Sequence, residues 1–213
     1  MDSDQREADA VLLTARHVSK AFNAVQALND FQIEIGRGEI HSLMGENGSG
    51  KSTFIKIIAG VLRPDSGEIV FDGVRYGDQR TTLDMMRAGI EVIYQDLSLY
   101  PNLSVAENIA LPSFVEERRW RVDWKEMRAI AKRELELLQR HTPFELDAMV
   151  EDLSMANRQI VAIVRALAHG AKLIVMDEPT TALTKPEVDS LLGVINDLKQ
   201  RGISTLFVSH KFS

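Results

Sequence analysis

Residues 45–52 read GENGSGKS and stand between the apolar run EIHSLM and a segment of helical periodicity from Lys51 to about residue 60. The pattern G-x-x-x-x-G-K-[ST] between a strand and a helix is a phosphate-binding loop. Glycines at 45, 48 and 50 let the backbone fold around phosphate oxygens with its amides turned inward, and Asn47 and Ser49 complete the loop. The helix start that follows adds a partial positive charge. Lys51 is expected to bridge β and γ phosphates, Ser52 to ligate Mg2+, and Thr53 to reach the α phosphate.

A loop of this kind predicts an α/β fold, and the rest of the chain carries the pattern. EIHSLMG, IEVIY, KLIVMDE and STLFVSH are short apolar runs suited to buried strands. Phe31, Ile33 and Ile35 alternate with polar neighbours as in a half-buried strand. Helices are expected over 51–60 and over 186–200, the second opening on Pro186 and stopping before Gly202. Strands alternating with helices imply a mainly parallel sheet. SGEIVFDGVRYGD has the turn residues and short strands of an antiparallel addition. Residues 98–150 carry helical signals alone: Ser104 and Glu107 form a capping box, and Asp123 caps a helix running to about Gln139. This segment reads as an inserted helical subdomain, the alternative being two crossover helices joined by a long loop.

Two carboxylates complete the phosphate loop. LIVMDE ends a strand in Asp177, which would stand beside the Mg2+, and Glu178 follows where it could polarise an attacking water. An acidic pair after a strand also serves as a helix cap or a solvated turn. Gln95 closes IEVIY and could reach the metal or the water, or only bond its own loop. His210 closes STLFVS and could contact a γ phosphate, or be structural. Phe22, expected just before a strand, could stack on a base or belong to the core.

Composition narrows the partners. The chain has 213 residues, 45% of them hydrophobic, enough for one substantial core with a modest subdomain. A net charge of -6 provides no basic field for phosphodiesters, so no nucleic-acid partner is expected. The absence of cysteine excludes disulfides and thiolate-bound metals. No uncharged apolar run approaches the ~18 residues needed to span a bilayer. The acidic start MDSDQREADA is unlike a signal peptide, and residues 1–10 are expected to be a disordered tail on a cytosolic chain.

The phosphate loop, Gln95 in IYQD, LSMANRQ, LIVMDEPTTALT and VSHK occur in one order, and together they resemble the nucleotide-binding domain of an ABC-type ATPase from about residue 11 to the end. The resemblance implies a P-loop core with a mainly parallel sheet, an N-terminal antiparallel β subdomain and an inserted α-helical subdomain at about 98–150. It implies ATP with Mg2+ as cofactors, Phe22 as the adenine-stacking aromatic, Gln95 as the glutamine-loop residue, Glu178 as the catalytic glutamate and His210 as the switch histidine. The helical subdomain would dock on a transmembrane permease, with the chain peripheral to the cytoplasmic face of the inner membrane.

GENGSGKSTFIKIIAGVLRPDSGEI, YQDLSLYPNLSVAENI and DEPTTALT look like the N-terminal half of the sugar-importer ATPases of ribose, galactose and xylose type, which carry two such domains in one longer chain and work indirectly with a periplasmic binding protein. Thr184 stands where most of the family has aspartate. In LSMANRQ, Met155 and Ala156 replace two glycines of the usual LSGGQ. The domains of this family pair head to tail, so these residues would face the second domain's loop. Ser154 and Ala156 would there hold ATP without turnover. Ser154 to Gln159 could also be no more than a capped helix start over a buried face of Ile160, Ile163, Val164 and Leu167. The alternatives are a soluble ABC ATPase, or an ABC subunit for a non-sugar solute. The chain ends three residues after His210, which suggests a truncated piece with HKFS poorly ordered and weak ATPase activity of its own.

Overall fold

The computed structural model describes residues 10–76, 80–116, 121–136, 138, 144–181 and 183–209. The disordered-tail expectation for the N-terminus falls almost wholly outside these residues, as do His210 and the HKFS end. The chain divides into two compact units: residues 1–92, 172–178 and 198–213 form the first, and 93–171 with 179–197 the second.

The first unit contains an antiparallel sheet in the order β2-β1-β4-β5, built from β1 (Val11–Phe22), β2 (Val25–Gly36), β4 (Ser66–Phe71) and β5 (Val74–Tyr76). It also contains the strands of a second sheet ordered β3-β8-β7-β6: β3 (Ile40–Met44), β8 (Ser204–Ser209), β7 (Leu173–Asp177) and β6 (Ile90–Ile93), of which β6 ends at the boundary between the units. Strand β8 runs parallel to both β3 and β7. The interior strands are buried on both faces, as parallel strands require: Leu173, Ile174, Val175, Met176, Leu206 and Val208 are all in the core. By contrast β3 is outermost among the described strands, and Ile40 and Met44 remain 43% and 48% exposed.

Helix α1 (Lys51–Ile58) follows β3, and α2 (Thr82–Ala88) precedes β6. Phe54 of α1 packs on Phe31 of β2 with ring centroids 4.5 Å apart, so the antiparallel sheet walls one side of α1. Buried Ser204 ties β8 to the turn after β2, donating to Gly36 O at 2.8 Å and accepting from Gly38 N at 3.0 Å. Asp72 at the β4–β5 turn takes ion pairs from Arg37 and Lys172, which link that hairpin to the ends of β2 and β7.

The second unit holds α3 (Val105–Glu116), α4 (Trp124–Glu136), α5 (Met155–Ala168) and most of α6 (Lys185–Gln200). Ala110 and Phe114 of α3 bury against Met127 of α4. The capping box expected at Ser104 is present: its amide and hydroxyl both donate to Glu107, at 2.7 and 2.6 Å, and its oxygen accepts from Glu107 N at 3.3 Å. Asp123 Oδ1 likewise accepts from Glu126 N at the start of α4. Fully buried Asn108 bonds the carbonyls of Tyr100, Leu103 and Ser104 and the amide of Tyr100, which fixes the turn before α3. Beyond α3 and α4, the second unit also takes in α5 and α6 up to Asp197.

Candidate phosphate site and signature helix

Strand β3 delivers the loop of residues 45–50 to the start of α1, as the sequence predicts. Gly48 and Gly50 have φ of +84° and +89°, conformations that side-chain-bearing residues rarely adopt. At Gly50 the reason is also space, since a Cβ there would lie 2.3 Å from Ala27 O on β2. A Cβ at Gly45 would lie 2.6 Å from Ser49 Oγ. The lysine is the most telling residue. Lys51 is only 5% exposed, and its ammonium donates to Gly45 O at 2.6 Å, Glu46 O at 2.8 Å and Ser49 Oγ at 3.2 Å. All three protons are used on oxygens of the loop itself. The acceptors are all neutral, so the hydrogen bonds leave the positive charge without a counter-ion. No side chain caps α1, whose first turn follows the loop directly.

Asp177 and Glu178 stand at the corresponding end of the sheet. Asp177 pairs with Val208, one residue before the Ser209 that pairs with Met44. The loop and the carboxylates are therefore separated by one strand, about 10 Å at the usual spacing. Glu178 has φ of +51°, and its amide donates to Val208 O at 2.9 Å. A glutamate held in this region costs on the order of 1 kcal/mol, and such outliers gather at working sites. The conformation leaves no trace in the sequence.

Ser52 is exposed and Thr53 half-buried on the first turn of α1, while Asn47 and Ser49 are exposed in the loop. Phe22 stands before a strand, β2, as expected. It is the last residue of β1, opposite Val25 across a hairpin, because the 12-residue β1 begins far earlier than its broken alternation suggests. Its ring is 43% exposed with the Lys20 ammonium 5.8 Å from its centre, so it is not a core aromatic. Among the described residues no group of three or more His, Cys, Asp or Glu could hold a metal ion. A magnesium ion here would need phosphate oxygens as ligands in addition to Ser52 and Asp177.

In the second unit, Gln95 does not close strand β6, which ends at Ile93. It lies exposed in the turn that follows. That turn is held by Leu97 N donating to Tyr94 O and by Arg165 of α5 donating to the carbonyls of Leu97 and Ser98. Both of those residues have positive φ.

The start of α5 carries LSMANRQ. Ser154 caps the helix by accepting from Asn157 N at 3.3 Å, Met155 is 40% exposed, and Ala156 is buried. Arg158 folds back to the carbonyls of Leu153 and Glu151, and Gln159 donates to Pro179 O. Neither of those anchors was expected from the sequence, where Ser154 to Gln159 read as a helix start. Thr184 caps α6, its amide and hydroxyl donating to Glu187 at 2.9 and 2.8 Å. These bonds, with a further one from Ser154, hold the Glu187 carboxyl below the usual carboxylate range. Among the described residues no helix is long and apolar enough to cross a membrane.

Comparison with known proteins agrees with this geometry. The family model described as ABC transporter matches residues 28–181. A ribose import ATP-binding protein of Streptomyces avermitilis is 44% identical over 207 residues, covering 95% of this chain and 39% of that protein. A putative ribose/galactose/methyl galactoside import ATP-binding protein of Pseudomonas savastanoi pv. phaseolicola is 42% identical, covering all of this chain and 40% of that protein. The chain thus spans about two fifths of the length of the curated relatives it matches. Among solved structures, an ATP-binding cassette of an ABC transporter in its ADP conformation superposes with a TM-score of 0.83 at 27% identity, covering 95% of this chain and 82% of that one. A dimeric cassette in a post-hydrolysis state, bound to ADP and Pi, gives a TM-score of 0.76 at 28% identity, covering 94% and 88%.

Proposed function

The chain belongs to the ABC transporter family, and from that premise we propose that it binds ATP with Mg2+ and hydrolyses it to drive import of a sugar of ribose or galactose type through a separate membrane permease. The observation that carries the reading is the buried Lys51 ammonium, held by loop oxygens alone at an uncapped helix start one strand from Asp177 and Glu178. When ATP enters, its phosphates replace those neutral acceptors with charged ones, and charge-assisted bonds are roughly twice as strong. Gly45, Asn47, Gly48, Ser49 and Gly50 shape the cradle, Lys51 takes the β and γ phosphates, and Thr53 the α phosphate. Ser52 and Asp177 hold Mg2+, which neutralises charge on the phosphates. Glu178 polarises the attacking water, and Phe22, exposed at the tip of its hairpin, stacks on the adenine. Gln95 and His210 join the site as metal or water ligand and γ-phosphate contact, His210 lying outside the described residues.

The names of the relatives support the sugar and the direction of transport, and the permease, a periplasmic binding protein and a location on the cytoplasmic face of the inner membrane follow from that reading. Ser154 and Ala156 at the start of α5 serve a second ABC domain, since the domains close each other's sites. No role for nucleic acid is included. Calorimetric titration of the chain with ATP tests the proposal: saturable binding that tightens with magnesium is expected, and equal binding with magnesium and with chelator would overturn it.

A further inference from the structure

The first unit contains a recess at the end of α1 remote from Lys51, with a volume of about 60 Å³. Its floor is apolar, from Ile57, Ile69 and Met85, and its polar rim is Tyr76, Arg63 and Arg80. One water needs about 10–15 Å³ by this measure, so the space suits roughly four to six non-hydrogen atoms.

The charges around it are unbalanced. Among the described residues no carboxylate lines the recess, and neither Arg63 nor Arg80 has an ion-pair or hydrogen-bond partner. Arg80 instead lies over the Tyr76 ring, its guanidinium 5.1 Å from the ring centre. The nearby acids are hydrogen-bonded to other groups, although the Arg80 charge acts on Asp84 through space. Asp84 accepts from the Thr81 amide and hydroxyl at 2.9 and 2.7 Å, and Asp72 is held by Arg37 and Lys172. The backbone is shaped as closely as in the phosphate loop. Gly60 has φ of +70° and a Cβ there would meet Thr81 O at 2.8 Å, while one at Gly67 (φ +95°) would meet His17 O at 2.5 Å.

We propose that this recess binds a short-chain organic monocarboxylate, with its carboxylate between Arg63 and Arg80 and its carbon chain over Ile57, Ile69 and Met85. A fully hydrated inorganic anion suits it less well, because the apolar floor offers such an ion no hydrogen bond to replace lost water. The planar fork of a guanidinium matches a carboxylate, and the stack on Tyr76 pre-orients one of the two forks. The recess is at the opposite end of α1 from Lys51, so the site is separate from the nucleotide cradle.

The test is a titration of the isotope-labelled chain with sodium propionate, followed by amide chemical shifts, with propionamide and inorganic phosphate as parallel arms. Propionate should saturate and move the amides of Gly60, Gly67, Tyr76 and Met85, and propionamide should not. Arg63→Ala should weaken propionate binding by about tenfold, and the Arg63→Ala/Arg80→Ala pair should abolish it while ATP binding stays at its original affinity. ATP binding also reports that the variants are folded. Equal shifts with propionamide, shifts with phosphate alone, no saturation, or unaltered propionate binding in the double variant would each overturn the proposal. Loss of ATP binding by the unsubstituted chain would instead overturn the nucleotide reading and leave this site standing on its own titration.

Discussion

Helices α1 and α5 both begin at sites expected to approach a phosphate, and they begin in opposite ways. At α1 the capping position is Gly50, which offers no side chain, and the lysine that follows is buried on loop carbonyls. At α5 the capping position is Ser154, whose oxygen already satisfies Asn157 N, while Arg158 and Gln159 are turned back on the protein's own carbonyls. The first end keeps its donors open and adds an unpaired charge. The second meets part of its own demand and places an exposed Met155 at its tip. On the proposed reading an anion should gain far more at α1 than at α5, because α1 combines a buried lysine with a helix start that no side chain caps.

The largest effect expected from breaking this contrast is on chemistry. In a reconstituted transporter containing this chain, Glu178→Gln should lower ATP turnover by about 10²-fold to 10⁴-fold while leaving ATP bound, since glutamine keeps the shape but takes no proton. Unchanged phosphate release would remove Glu178 from its role. Next in size is Gly50→Ala, which sets a methyl against Ala27 O and strains a φ of +89°. A loss of about 3 kcal/mol or more in denaturant unfolding, with ATP binding gone, is expected. If alanine is tolerated there, the close packing of the loop on β2 is not what requires glycine.

At the other helix, Ser154→Ala removes a cap and should cost about 1 kcal/mol in the same unfolding assay, and ATP affinity of the isolated chain should not move. A fall in that affinity would mean that α5 contributes to the chain's own cradle. The smallest effect concerns Glu187, whose carboxyl is held below its ordinary value chiefly by the Thr184 amide, then by the Thr184 and Ser154 hydroxyls. Its stabilisation is complete above the ordinary carboxylate value and disappears as pH falls through the depressed one. The melting-temperature gap between the unsubstituted chain and Glu187→Gln should be constant from about pH 6 to 8 and close below about pH 4. A gap that widens on acidification would contradict the bonding around α6.

Much of this was legible in the sequence. The phosphate loop, Asp177 at the end of β7, the Ser104–Glu107 box and the helix at Pro186 are local patterns whose chemistry determines their geometry. What escaped depends on irregular backbone. Strand β1 hid because its alternation is interrupted by register shifts around residues 15–18, with His17 at φ +53°. Phe22 does stand before β2, but its place at the end of β1 was hidden for the same reason. Gln95 lies beyond its strand, in a turn whose Leu97 and Ser98 take left-handed conformations and are held by Arg165, 67 residues away from Ser98. Short α2 has a complete Thr81–Asp84 capping box, on a helix too short to show a clear period in the sequence. The strain at Glu178 and the recess between Arg63 and Arg80 arise from tertiary placement, for which neighbouring residues give no signal.

The contrast between the two helix starts rests on Lys51. Calorimetric titration of the chain and of Lys51→Ala with magnesium ATP under identical conditions tests it most directly. The account predicts that the alanine variant remains folded and binds ATP at least about tenfold more weakly. Equal affinity in the two proteins would contradict the assignment of residues 45–52 as the phosphate cradle.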